Sequence, residues 1–163
     1  MKTPIARILS AVLLAPLFAI AEDAKPTITV QQEVELYQAI LSLDRGGVKL
    51  IDSKATAVPF TFSAATRYAL AVDADLVKKP FDEYSKAADA KRGEIAPKAS
   101  TNGSAEAALT NAQQATLESE LAPVAAARDP LPEFKKIALP DLNLDTNPIT
   151  TDALMKLRVI IQP

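Results

Sequence analysis

No cysteine occurs in the 163 residues, so no disulfide can staple the fold, which must rest on burial of apolar side chains. The placing of those side chains along the chain is therefore the main guide to structure. Val30, Val34, Tyr37 and Leu41 recur at helical spacing, with Ile40 beside them. Thr29 and Gln32 stand ahead of that stripe at capping-box spacing. Asp44-Arg45-Gly46-Gly47 stops it, the glycines allowing the backbone of a helix end. From Val48 the period shortens. Val48, Leu50 and Ile51 precede the polar Asp52-Ser53-Lys54, and Val58, Phe60 and Phe62 alternate after it. This predicts a short hairpin, with Pro59 confining the second strand to an edge. Ser63 then caps a long helix over 64–95, with Tyr68, Val72, Leu76, Phe81, Tyr84 and Ala88 as its buried face. Pro80 removes a backbone donor and predicts a kink or break near Lys78.

Breakers and small polar residues make 97–104 a loop. A third helix over 105–121 is anchored by Leu109, Leu117 and Leu121 and is ended or kinked at Pro123. An extended connector at 129–132, a strand within 134–139 and a looped stretch at 140–148 follow. Thr150 caps a last short helix carrying Leu154, Leu157 and Ile161 on one side. Residues 22–28 read as a flexible polar lead-in containing Pro26. The expected fold is a small, single α+β domain over 22–163, mostly helical, with a short β-hairpin and one further strand. The first and long helices should meet through Tyr37, Leu41, Tyr68, Val72 and Leu76.

Residues 1–21 have the order of an export signal. Lys2 and Arg7 are followed by an uncharged run from Ile8, and Ala19-Ile20-Ala21 places small residues before Glu22-Asp23. That run is shorter than a spanning helix needs and contains Pro16, so no stable membrane anchor is expected. A lipid anchor would need a cysteine. The mature protein is expected to be periplasmic or secreted, or cytoplasmic if the leader is not cleaved.

The 20 acidic residues outnumber the 18 basic ones, without a basic block, so nucleic acid is not an expected partner. Arg45-Gly46-Gly47 is a helix stop rather than a phosphate motif. With no histidine or cysteine, a histidine relay and a thiolate nucleophile are both excluded. No catalytic or cofactor-binding residue is nominated. The densest charges, Asp75, Lys78, Lys79, Asp82, Glu83 and Lys86, fall four apart and read as ion-pair ladders on a solvated helix face. Tyr37, Phe60, Phe62, Tyr68, Phe81 and Tyr84 lie at core spacings.

One metal candidate follows from spacing. Asp141, Asn143, Asp145 and Asn147 alternate, and Asp152 stands at the twelfth place, as in a calcium loop of the EF-hand type; Asp141, Asn143, Asp145 and Asp152 are the candidate ligands. Thr146 replaces the turn glycine, Asp152 is shorter than the usual glutamate, and Pro148 lacks a donor. Asx-turn capping accounts for the same residues without a metal.

Three stretches carry a resemblance: ELYQAILSLD at 35–44, PFTFSAATRYALA at 59–71 and IALPDLNLD at 137–145. Together they resemble a group of short phage and prophage proteins of unknown function. The resemblance implies a leucine-rich first helix, a Ser-x-x-x-Arg helix start and a terminal strand with a small helix. It implies no activity, and the leader departs from a family otherwise cytoplasmic. These features predict a non-enzymatic, exported accessory or protein-binding protein of prophage origin. The alternatives are a carboxylate-dependent hydrolase of envelope polymers and an oligomeric structural protein of the envelope.

Overall fold

The computed structural model describes residues 25–51, 54–95 and 109–162. In chain order they form β1 (Thr27–Thr29), α1 (Val30–Arg45), β2 (Gly47–Ile51) and β3 (Lys54–Val58), followed by α2 (Ala64–Ile95) and α3 (Asn111–Ala125). The remainder comprises β4 (Arg128–Pro130), β5 (Ile137–Ala138), a 3-10 turn at Leu139–Leu142, α4 (Thr151–Leu157) and β6 (Ile161–Gln162). The expected α+β fold is the observed one. The predicted leader at 1–21 and the whole loop predicted at 97–104 lie outside the described residues.

α1 is the centre. It packs on α2 along one side and on α4 along another, while α3 lies against α2. Leu36, Ala39, Ile40 and Leu43 of α1 meet Leu70 and Val77 of α2, and Phe134, Ile137, Leu142, Leu157 and Ile160 close the core from the C-terminal third. Threonine opens three of the helices. Thr29 and Thr110 each form a full capping box, with Gln32 and Gln113, and the Thr150 hydroxyl accepts the Ala153 N–H. α1 ends at Gly46, whose φ of 79° lies in the left-handed region and whose N–H bonds to the Leu43 carbonyl at 3.3 Å. A side chain there would meet the Val58 carbonyl as well as backbone strain.

The buried faces of the long helices differ from the expected ones, in part on α1 and more fully on α2. On α1 the expected Val34 and Ile40 are buried, with Leu36 and Leu43 beside them, whereas Val30, Tyr37 and Leu41 are only half-buried. The reason is that α1 touches two helices and buries a stripe wider than one seam. On α2 the buried set is Thr66, Leu70, Asp73 and Val77. Tyr68 and Leu76, expected at the core, are 66% and 42% exposed. Two polar residues thus occupy the inner stripe, each with a local partner. Thr66 shares a hydroxyl contact with Ser63 at 2.8 Å, and Asp73 accepts the Lys135 N–H at 2.7 Å.

Neither inner proline ends its helix: α2 runs unbroken through Pro80, and α3 continues past Pro123 to Ala125. The lead-in is not loose where it is described. Ile28 is 2% exposed, and Thr27–Thr29 pairs antiparallel with Arg128–Pro130. The bonds Val30 N–H to Ala127 O and Leu131 N–H to Pro26 O continue that seam at both ends. β3 stops at Val58, so Phe60 and Phe62 leave the strand and pack edge to face against the core, centroids 5.9 Å apart. The strand expected over 134–139 shrinks to Ile137–Ala138. Its parallel partner is β6, formed by residues expected to belong to the last helix. α4 ends at Leu157 because a turn carries Ile160, wholly buried, back to Ile137.

Candidate functional site

The C-terminal loop is organised by Asn147, the last of the alternating oxygen-bearing residues at 141–147 though not one of the four nominated for a metal. Asn147 is 2% exposed. Its Oδ1 accepts the Thr61 N–H at 2.9 Å, and its amide donates to Thr61 O at 3.0 Å and to Leu142 O at 2.8 Å. One side chain therefore fastens the segment before α2 to the segment before α4. A sequence reader had a signal for it, an Asn between two apolar stretches, but nothing to distinguish it from an ordinary turn residue.

The nominated metal set is not drawn together into a ligand shell. Asp141 lies exposed in the 3-10 turn, Asn143 caps that turn at φ 48°, and Asp145 is exposed. Asp152 bonds instead to Lys156 at 2.7 Å, within its own helix. No group of three or more histidine, cysteine or acidic residues able to hold a metal ion occurs among the described residues. The ladder charges sit on the outer face of α2, where Lys78 pairs with Asp82 and Lys79 with Glu83. Lys91 reaches further, bonding Glu94 on its own helix and Glu120 on α3, each at 3.0 Å. Among the aromatic residues, Tyr37 and Phe81 join α1 to α2, their ring centroids 4.5 Å apart.

Two buried acids were not singled out by sequence. Glu33 stands in the first turn of α1, is 2% exposed, and faces Asp129 of β4. Burial first, and then the charge and hydrogen bond of Asp129, push its carboxyl up to about 7. Asp73 is wholly buried; burial raises it, while the Lys135 N–H and the charges of Lys136 and Lys135 pull the other way. One oxygen of each carboxyl receives no donor. Their enclosure leaves no room for a substrate against either carboxyl, so a raised acid here is not by itself a catalytic one.

A recess lies at the foot of the hairpin. Gly46, Gly47 and Val48 form one wall, Phe60 and Pro148 another, and Ala153 of α4 lies on the lining, around a cavity of about 320 Å³. Gly47 is required by this packing. A Cβ there would lie 2.6 Å from Pro148 Cγ and 2.7 Å from the Phe60 ring. Above the recess the two hairpin strands pair only with each other, from Gly47–Val58 to Ile51–Lys54. Each strand therefore has one unpaired edge among the described residues. Lys54, Ala55, Thr56 and Ala57 are all exposed, and Val48 is 64% exposed. No helix among the described residues is long and apolar enough to cross a membrane. In comparison with known proteins, the chain matches no family model, no curated protein and no solved structure.

Proposed function

We propose that this chain is an exported, non-enzymatic accessory protein of prophage origin that binds another protein through the β2–β3 hairpin. The observation that carries the binding part is the isolated two-stranded sheet. Among the described residues its outer edges leave main-chain donors and acceptors unpaired, the template to which an extended segment of a partner adds as a further strand. The recess beside Gly47 and Val48 would take an apolar side chain of that strand. Export rests on the leader, and prophage origin on the three stretches of resemblance. The hydrolase reading gains little support, because its best acids, Glu33 and Asp73, are buried. The oligomeric reading draws on the exposed Tyr68 and Leu76 of α2.

The test places a photo-crosslinking residue at Val48 and, separately, at the exposed Lys136, in the native host. The expected result is a discrete adduct with a different protein from position 48 alone, lost in the Ala57→Asp variant. No adduct at 48, or equal labelling from both positions, overturns the hairpin. An adduct of twice the chain mass shifts the reading to the oligomer. Intact mass of the same protein should begin at Glu22, and a mass retaining Met1 overturns export.

A further inference from the structure

The register of the β2–β3 hairpin fixes which backbone groups face outward. Ile51 and Lys54 are paired across two intervening positions, and the closing pair of so short a loop exchanges both of its N–H to carbonyl bonds. Bonded and non-bonded pairs then alternate down the ladder. Lys49 with Thr56 and Gly47 with Val58 bond inward, whereas Ala55 and Ala57 turn their N–H and carbonyl groups away from β2. Neither outer edge meets another strand among the described residues. Lys54, Ala55, Thr56 and Ala57 are all exposed.

We propose that β3 pairs antiparallel with β3 of a second copy about a two-fold axis at Thr56, making a four-stranded sheet of order β2-β3-β3-β2. This self-pairing goes beyond the reading above and shares with it only the exposed hairpin. A two-fold contact has to be self-complementary. With Thr56 opposite Thr56, Ala55 falls opposite Ala57 of the copy. Those are the residues whose backbone groups point outward, so each meets a bonding partner. The two threonines form a close cross-strand pair of a kind that stabilises sheets, and Lys54 falls opposite Val58, so no lysine of β3 faces another. β2 lacks this symmetry. A copy centred on it sets position 49, a lysine, opposite itself, a like-charge pair that opposes pairing. A second copy is thus the occupant that the β3 edge fits, while the β2 edge beside the recess stays open to a different protein.

The chain has no cysteine, so single introduced thiols report the contact cleanly. Opposed residues of a non-bonded antiparallel pair lie about 4.5 Å apart at Cα, within the span of a disulfide. Under mild oxidation of the purified full chain, Thr56→Cys should form a disulfide dimer at least about tenfold faster than Lys54→Cys or Val48→Cys. In the proposed register position 54 lies about 14 Å from its own copy, and Val48 stands behind β3, about 10 Å from the copy's nearer strand.

The unaltered chain should sediment as a monomer–dimer equilibrium. Ala55→Pro should weaken it at least about tenfold, because proline removes an outward donor from each copy and leaves the β2–β3 ladder whole. Three results overturn the self-pairing: a monomer at about 1 mM chain, equal disulfide rates at positions 54 and 56, or an equilibrium unmoved by Ala55→Pro. Failure of the earlier reading looks different, since self-pairing needs no host protein. A dimer of pure protein without a foreign adduct at Val48 overturns the different partner and keeps the copy, and the converse result overturns the copy alone.

Discussion

Two buried polar side chains, Asp73 and Asn147, hold segments that no regular element joins. Asn147 does so without charge, satisfying three backbone groups of two separate segments with its two amide ends. Replacing it by Ala would leave the Thr61 N–H and the Leu142 carbonyl to find new partners in a closed space. The expected loss is about 2–4 kcal/mol, from about 1–3 for each stranded group, read as a lower denaturant midpoint. Gly47 is the steric counterpart. Gly47→Ala should cost about 1–3 kcal/mol, because Pro148 and Phe60 must both move to admit the methyl group; an unchanged thermal melt would mean the recess is looser than described.

At the level of elements, a paired substitution separates the observed face of α2 from the expected one. Leu70→Ala should cost about 2–5 kcal/mol, and Tyr68→Ala no more than about 0.5, both measured by urea unfolding. The reverse order would restore the stripe read from spacing alone. That stripe misled because the inner row of α2 carries Thr66 and Asp73, so polarity no longer marks the solvent side. Helix starts were far more legible: Thr29, Ser63 and Thr150 all cap as their local sequence implies, since a cap needs only residues within a turn of itself. The hairpin was legible as a unit for the same reason, although its second strand forms over Lys54–Val58 and not across Phe60 and Phe62. β1, β4 and β6 were not, because two- and three-residue strands have no period to read and owe their form to partners far along the chain. The site followed this division. The hairpin and its glycines were visible in sequence, whereas Asn147 and Glu33 gain meaning only from Thr61 and Asp129, which folding brings beside them.

For the molecule as a whole, the C-terminal third supplies one side of the core and locks it. Ile160 is wholly buried, and its carbonyl receives the Ile137 N–H at 2.9 Å. Ending the chain at Arg158 should therefore abolish cooperative thermal unfolding rather than trim a tail; a sharp transition surviving that truncation would show that α1 and α2 form an independent core. The β1–β4 pairing imposes a further order on assembly. Thr27 and Arg128, bonded through their side chains, stand 101 residues apart. α1 and α2 can meet as soon as both exist, but β1 has no strand to pair with until nearly four-fifths of the chain has been made. The entropy of closing so long a loop grows only slowly with its length, so the delay is one of timing more than of energy. A chain emerging N-terminus first carries Ile28 uncovered through most of its synthesis, and any factor that binds nascent chains has that early strand to grasp.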